Sequence, residues 1–121
     1  MNVQKFAKLF GAVMLLVGIL GFVPGLAPGG MLLGLFEVNA LHNIVHIVTG
    51  IAGLWAAGTA ANARLFFKVF GIVYGLVTVL GIVMNGNILG LIMINMADTL
   101  LHVLITIVAL YAGFGTKDKM M

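Results

Sequence analysis

All three histidines and two of the three acids of this 121-residue chain stand in two ten-residue segments, EVNALHNIVH at 37–46 and MINMADTLLH at 93–102. His42, His46, Asp98 and His102 are therefore the residues with which the chain can do chemistry. Imidazole and carboxylate both suit a divalent metal, and the imidazoles of His46 and His102 could hold a haem iron from its two axial sides. A carboxylate one turn from an imidazole, as Asp98 is from His102, can orient that ring as a metal ligand. Histidine titrates near neutrality, so the same groups could pass protons or ions. The plainest reading is that they hydrogen-bond across helices and organise them, each such bond contributing about 0.6 kcal/mol in a membrane.

Other chemistry is excluded by what is missing. With no cysteine, disulfides, thiolate metal sites and cysteine nucleophiles drop out. Serine is absent too, and no two carboxylates lie close enough in sequence for paired hydrolysis. GLAPGGMLLG and MNGNILG are glycine-rich, but neither joins a strand to a helix as a nucleotide-binding loop does. No enzyme is expected.

The elements that position these groups are dictated by composition. The chain is 63% hydrophobic and 7% charged, with a mean hydropathy of +1.25. A soluble domain carries about 25% charged residues, so the lipid bilayer must be the solvent here. A net charge of +3 from scattered cations forms no patch for nucleic acid. Four apolar stretches near Lys8–Val23, Asn39–Ala61, Leu65–Met84 and Asn95–Phe114 are each about 20 residues, enough to cross a hydrocarbon core as helix. Pro24-Gly25 and Pro28-Gly29-Gly30 end the first stretch, Asn62-Ala63-Arg64 parts the second from the third, and Asn85-Gly86-Asn87 turns the chain into the fourth. Met31–Phe36 is expected to lie along the outer membrane face, and the polar tail TKDKMM to fray.

The chain also reads as a duplication. FAKLFGAVMLLVGILGFV (6–23) aligns without a gap on FFKVFGIVYGLVTVLGIV (66–83), matching Phe6 to Phe66, Lys8 to Lys68 and Gly11 to Gly71. With a loop four residues shorter, Leu33-Gly34-Leu35 falls on Leu89-Gly90-Leu91, Asn39 on Asn95, His46 on His102 and Trp55 on Tyr111. The expectation is one transmembrane domain over 1–121, an all-α bundle of four transmembrane helices made of two-helix repeats at about 6–61 and 66–114. Because span one answers to an internal span, it is not expected to be a cleaved leader. Two spans per repeat make the copies parallel in the membrane. Lys5, Lys8, Arg64, Lys68, Lys117 and Lys119 all fall on one side, so both termini are expected to be cytoplasmic.

On this frame Asn39, His42, Asn43, His46, Gly50, Gly53 and Ala57 form one face of the second span. Asn95, Asp98, Thr99, His102, Thr106, Ala109 and Gly113 form its counterpart on the fourth. Polar and small residues on a membrane helix turn toward protein. Asn39 and Asn95 stand where helix caps belong, with Asp98 in the first turn of its helix. Phe6, Phe10, Phe66, Phe67 and Phe70 read as inner-leaflet contacts and anchors, and the glycine and aromatic stripes leave room for a homo-oligomer or a larger membrane complex.

GFVPG, LLGLFEVNALHNIVHIVTGIAGL and VFGIVYGLVTVLG resemble a family of small bacterial four-helix membrane proteins known only as a domain of unknown function. The F-x-V-N-x-x-H-N-x-x-H pattern of Phe36, Val38, Asn39, His42, Asn43 and His46 carries the resemblance most specifically. The second copy has V-N-x-x-D-x-x-x-H with isoleucine at 94 in place of valine. The resemblance implies four spans in a bacterial-type inner membrane and no assigned activity. Three readings of the polar cluster remain, in this order: an organiser of the bundle that also takes a ligand or partner subunit, a haem or divalent-metal site of an electron-transfer or accessory subunit, and a proton or ion relay.

Overall fold

Each of the four α-helices among the described residues starts on a side-chain cap. Asn2 accepts from Lys5 N, Asn39 from His42 N, Thr59 from Asn62 N and Asn95 from Asp98 N, satisfying amides that have no partner inside their own helix. The computed structural model describes residues 2–115, and the helices that these caps open are α1 (Val3–Leu20), α2 (Ala40–Ala56), α3 (Ala60–Val83) and α4 (Met96–Phe114). Lys117, Lys119 and the rest of the polar tail lie outside the described residues. α1, α3 and α4 are long and apolar enough to cross a membrane, and α2 is an apolar helix of 17 residues. The result is an all-α, four-helix membrane architecture.

The caps also move the boundaries. The expected break at Asn62-Ala63-Arg64 falls earlier, because α2 stops at Ala56 and the Thr59 hydroxyl accepts from Asn62 N at 3.1 Å, starting α3 at Ala60. α1 likewise starts five residues earlier than expected, on Asn2. Gln4 of α1 then donates to Ala57 O and Gly58 O at the end of α2, tying the two helix ends together.

The connections from α1 to α2 and from α3 to α4 are more ordered than expected. Met31–Phe36 enters a hairpin of β1 (Met31–Leu32) and β2 (Phe36–Glu37), reached through a 3₁₀ turn at Pro28–Gly30. The second connection forms β3 (Asn87–Ile88) and β4 (Ile92–Met93) in the same antiparallel register. Each hairpin turns on Leu-Gly-Leu, with φ of 55° and 70° at Leu33 and Gly34, and 55° and 72° at Leu89 and Gly90. One further bond closes each base, Val38 N to Gly30 O and Ile94 N to Gly86 O, both at 2.8 Å.

α1 packs along α2, and α3 along α4. Close approach is set by small residues: a methyl group on Gly11 would meet Gly50 O and Leu54 N, each at 2.8 Å. At the end away from the hairpins, Phe66 and Phe67 are buried with Val3, Ala7, Ala56, Ala63, Ala109 and Ala112. The ring centroids of Phe6 and Phe67 are 5.2 Å apart and those of Phe10 and Phe67 5.5 Å. These phenylalanines are therefore an aromatic core and not the lipid anchors expected of them. The exposed aromatics near this end are Trp55, Tyr111 and Phe114, 74%, 61% and 62% accessible, and Trp and Tyr are the types that favour a membrane–water interface. Leu, Ile and Val cover the outward helix faces, as at Leu16, Ile72, Leu76 and Ile107. Such a surface suits hydrocarbon.

Candidate functional site

The two polar helix starts are fixed by reciprocal bonds across the bundle. Asn39 caps α2 with its side-chain oxygen and donates through Nδ2 to Leu91 O in the turn of the other hairpin, at 3.0 Å. Asn95 caps α4 and donates to Leu35 O in the first hairpin, at 2.9 Å. Each helix is thus placed by the hairpin of the other half. From these starts, helical spacing sets His42, Asn43 and His46 on the buried face of α2, and Asp98, Thr99 and His102 on that of α4.

The three histidines meet. His42, His46 and His102 are all buried, and their ring centroids are 4.6 Å apart for 42–46, 5.8 Å for 42–102 and 6.3 Å for 46–102. One ligand nitrogen from each can be chosen so that all three lie within 4.8 Å of one another. Both ring nitrogens of His42 and of His102, and Nδ1 of His46, are enclosed without a hydrogen-bond partner. The backbones of Glu37 and Met93 lie against His42, outside hydrogen-bond geometry to its ring. An unpaired buried polar group costs about 1–3 kcal/mol, so this is an expensive arrangement unless something else satisfies the nitrogens.

Asp98, the fourth residue singled out with them, turns away to a different task. Its Oδ2 accepts from Asn95 N at 3.0 Å while Asn95 Oδ1 accepts from Asp98 N at 2.9 Å, completing a capping box at the start of α4. It shares a cavity of about 100 Å³ with His46 beneath the first hairpin, walled by Leu32, Phe36 and Val38, but it is not a member of the trio. No bond joins it to His102.

Two further residues belong to the surroundings and were not singled out from the sequence. Tyr74 of α3 is buried with its ring 5.5 Å from that of His102. Its hydroxyl is 3.1 Å from the Thr49 hydroxyl on α2. Since Thr49 donates to Val45 O at 2.7 Å, Tyr74 is the donor in that pair. The available signals were weak: Thr49 lies three residues past His46 on the same face, and Tyr74 sits between Gly71 and Thr78 on the small-residue stripe of its helix.

Three neutral imidazoles converging on one point can bind a divalent ion of the first transition row. Metal–nitrogen bonds of about 2.0–2.1 Å require each nitrogen to move by less than about 1 Å from this arrangement, which side-chain rotation supplies. Haem is a poorer fit. His42 is nearer to both His46 and His102 than they are to each other, so it stands where a macrocycle between them would lie.

A family model described as Domain of unknown function (DUF4383) matches residues 4–115, and the chain belongs to that family. No curated protein and no solved structure matches it.

Proposed function

Since membership in a family without an assigned activity leaves the chemistry to the site, we propose that this protein is a membrane-embedded, non-enzymatic carrier of one divalent transition-metal ion, held by His42, His46 and His102. The observation that carries the reading is the set of five enclosed ring nitrogens without partners on three imidazoles that face one another. An ion would satisfy one nitrogen on each ring and would tie α2 to α4, so the cluster organises the bundle by holding its ligand. Three protein ligands leave an open coordination position. A binding role is favoured over catalysis because the nearby carboxylate, Asp98, is engaged in the helix cap.

The bundle is proposed to be two parallel copies of a helix pair in a bacterial-type cytoplasmic membrane. Support comes from the reciprocal Asn39 and Asn95 bonds and the equal hairpin registers. Lys5, Lys8, Arg64 and Lys68 stand at the end remote from the hairpins, which favours cytoplasmic termini and a metal site in the outer half.

The test is elemental analysis of the protein purified in mild detergent, followed by Co(II) reconstitution and a visible spectrum. One metal per chain, with ligand-field bands lost in His42→Ala, His46→Ala and His102→Ala alike, is the expected result. A folded protein that retains no metal and gives no Co(II) spectrum overturns the proposal.

A further inference from the structure

The helix seams on the two sides of the bundle differ, and the difference leads to the histidines. Between α1 and α4 runs a cavity of about 280 Å³, lined by Met14, Val17, Leu101, Leu104 and Ile105 among other apolar side chains, with His46 as the one polar residue in its wall. No charged residue lines it. The corresponding seam between α3 and α2 holds a groove along Ala52, Trp55, Phe66, Val69 and Phe70 that stops short of His102. In the repeat alignment Tyr74 answers to Met14 and Thr49 to Ile105. The hydrogen bond between the Tyr74 and Thr49 hydroxyls bridges the second seam at the level where the first stays open. Divergence of the two copies has left one lateral path from the hydrocarbon region to one imidazole.

We infer that the α1–α4 seam is a binding site for a neutral, membrane-dissolved hydrocarbon with a hydroxyl or carbonyl head, whose oxygen meets His46. The walls favour an alkyl or prenyl body by burial of apolar surface. Without a cation in the lining, a carboxylate or phosphate head would be desolvated and unpaired, whereas a neutral oxygen loses little and gains a partner. Long-chain alcohols, quinols and quinones share this chemistry. The inference deepens the metal reading in one respect, and rests on it there: an oxygen head arriving at His46 would lie beside the open coordination position of the ion. The groove and its imidazole stand without the metal.

The experiment uses the full chain in lipid nanodiscs, freed of metal by a chelator, and a decanol carrying a photoreactive diazirine. Labelled peptides are mapped by mass spectrometry. Labelling concentrated on Val13, Leu101 and Leu104, competed by decanol but not by decane, is expected. Leu104→Trp, which fills the groove mouth from an exposed position, should abolish it. His46→Phe should weaken competition by decanol roughly three- to tenfold, the range that one hydrogen bond supports. Equal competition by decane, labelling as strong on Leu76 and Ile107 of other lipid-facing surfaces, or unchanged competition in His46→Phe overturns the inference. Co(II) titration of Leu104→Trp separates the two proposals. Normal metal loading with lost labelling supports the groove, whereas selective labelling in a protein that never binds metal sinks the metal reading alone.

Discussion

Replacing His102 by leucine distinguishes a ligand-binding trio from a structural one, because the two predict opposite signs. Both ring nitrogens of His102 are enclosed without a partner, and the residue is 2% exposed. Leucine has nearly the volume of histidine, so packing changes little. At about 1–3 kcal/mol for an unpaired buried polar group, the metal-free variant should be more stable than the metal-free parent by that amount. Added metal should reverse the order. An ion at about 1,000 times its dissociation constant stabilises the parent by about 4.1 kcal/mol and should leave the variant almost unchanged.

The assay is unfolding by SDS in mixed micelles, followed by circular dichroism, with and without Zn(II), on chelator-treated protein. His46→Leu, with one enclosed orphan nitrogen instead of two, should gain less than His102→Leu. A metal-free His102→Leu variant less stable than its parent by about 1 kcal/mol or more would refute the reasoning. It would mean that the imidazole is hydrogen-bonded in the bundle and that its loss removes glue.

Four other outcomes follow from single contacts. Gly50→Ala should cost about 1–3 kcal/mol in the same assay, because the added methyl would run into Leu15 and Gly11, whereas Gly58→Ala, with its nearest neighbour at 3.5 Å, should be nearly neutral. Asn39→Ser keeps the cap and loses the Leu91 bond, while Asn39→Ala loses both, so alanine should be the more destabilising by about 1 kcal/mol. Asp98→Asn, which preserves an acceptor for the capping box, should leave Co(II) affinity unchanged within about threefold, and a large loss would make Asp98 a ligand. Metal loading should fall as pH is lowered, since protons compete for the imidazoles, and equilibrium dialysis across a pH series checks the sign.

Helix number, the polar faces and both asparagine caps were legible because each follows from a strong local rule: hydropathy over a membrane's thickness, a period of 3.6, and side-chain capping. The hairpins were not. Their turns place Leu33 and Leu89 at φ of 55°, where leucine rarely sits, and only tertiary contacts can hold them there. The phenylalanines were misjudged for a different physical reason. In a membrane protein both the lipid face and the core are apolar, so Phe67, which is fully enclosed, carries no compositional mark to separate it from an exposed leucine. Histidine carries such a mark, and the trio was visible from type and spacing. That Asp98 would leave the cluster was readable in hindsight from its place three residues after Asn95, where a capping box needs a carboxylate.

The outer pair of the site explains why the centre has three imidazoles. His46 and His102 occupy matching positions on α2 and α4, and symmetry applied one turn outward would give a further matching pair. Instead that position is His42 on α2 and Asp98 on α4, and Asp98 is bound to its own helix start. A fully symmetric bundle would offer four imidazoles, the closed coordination of a structural metal. Engagement of Asp98 in the cap leaves three imidazoles for the proposed ion. In the proposed repeat alignment Tyr74 and Thr49 bridge one seam where apolar Met14 and Ile105 line the other. On the proposed reading both departures from the repeat act in one direction: one would leave a coordination position open, the other leaves open the side of the bundle that leads to it. A metal serving only to fasten two helices would need neither, so the asymmetry favours an ion that meets a second ligand from the membrane.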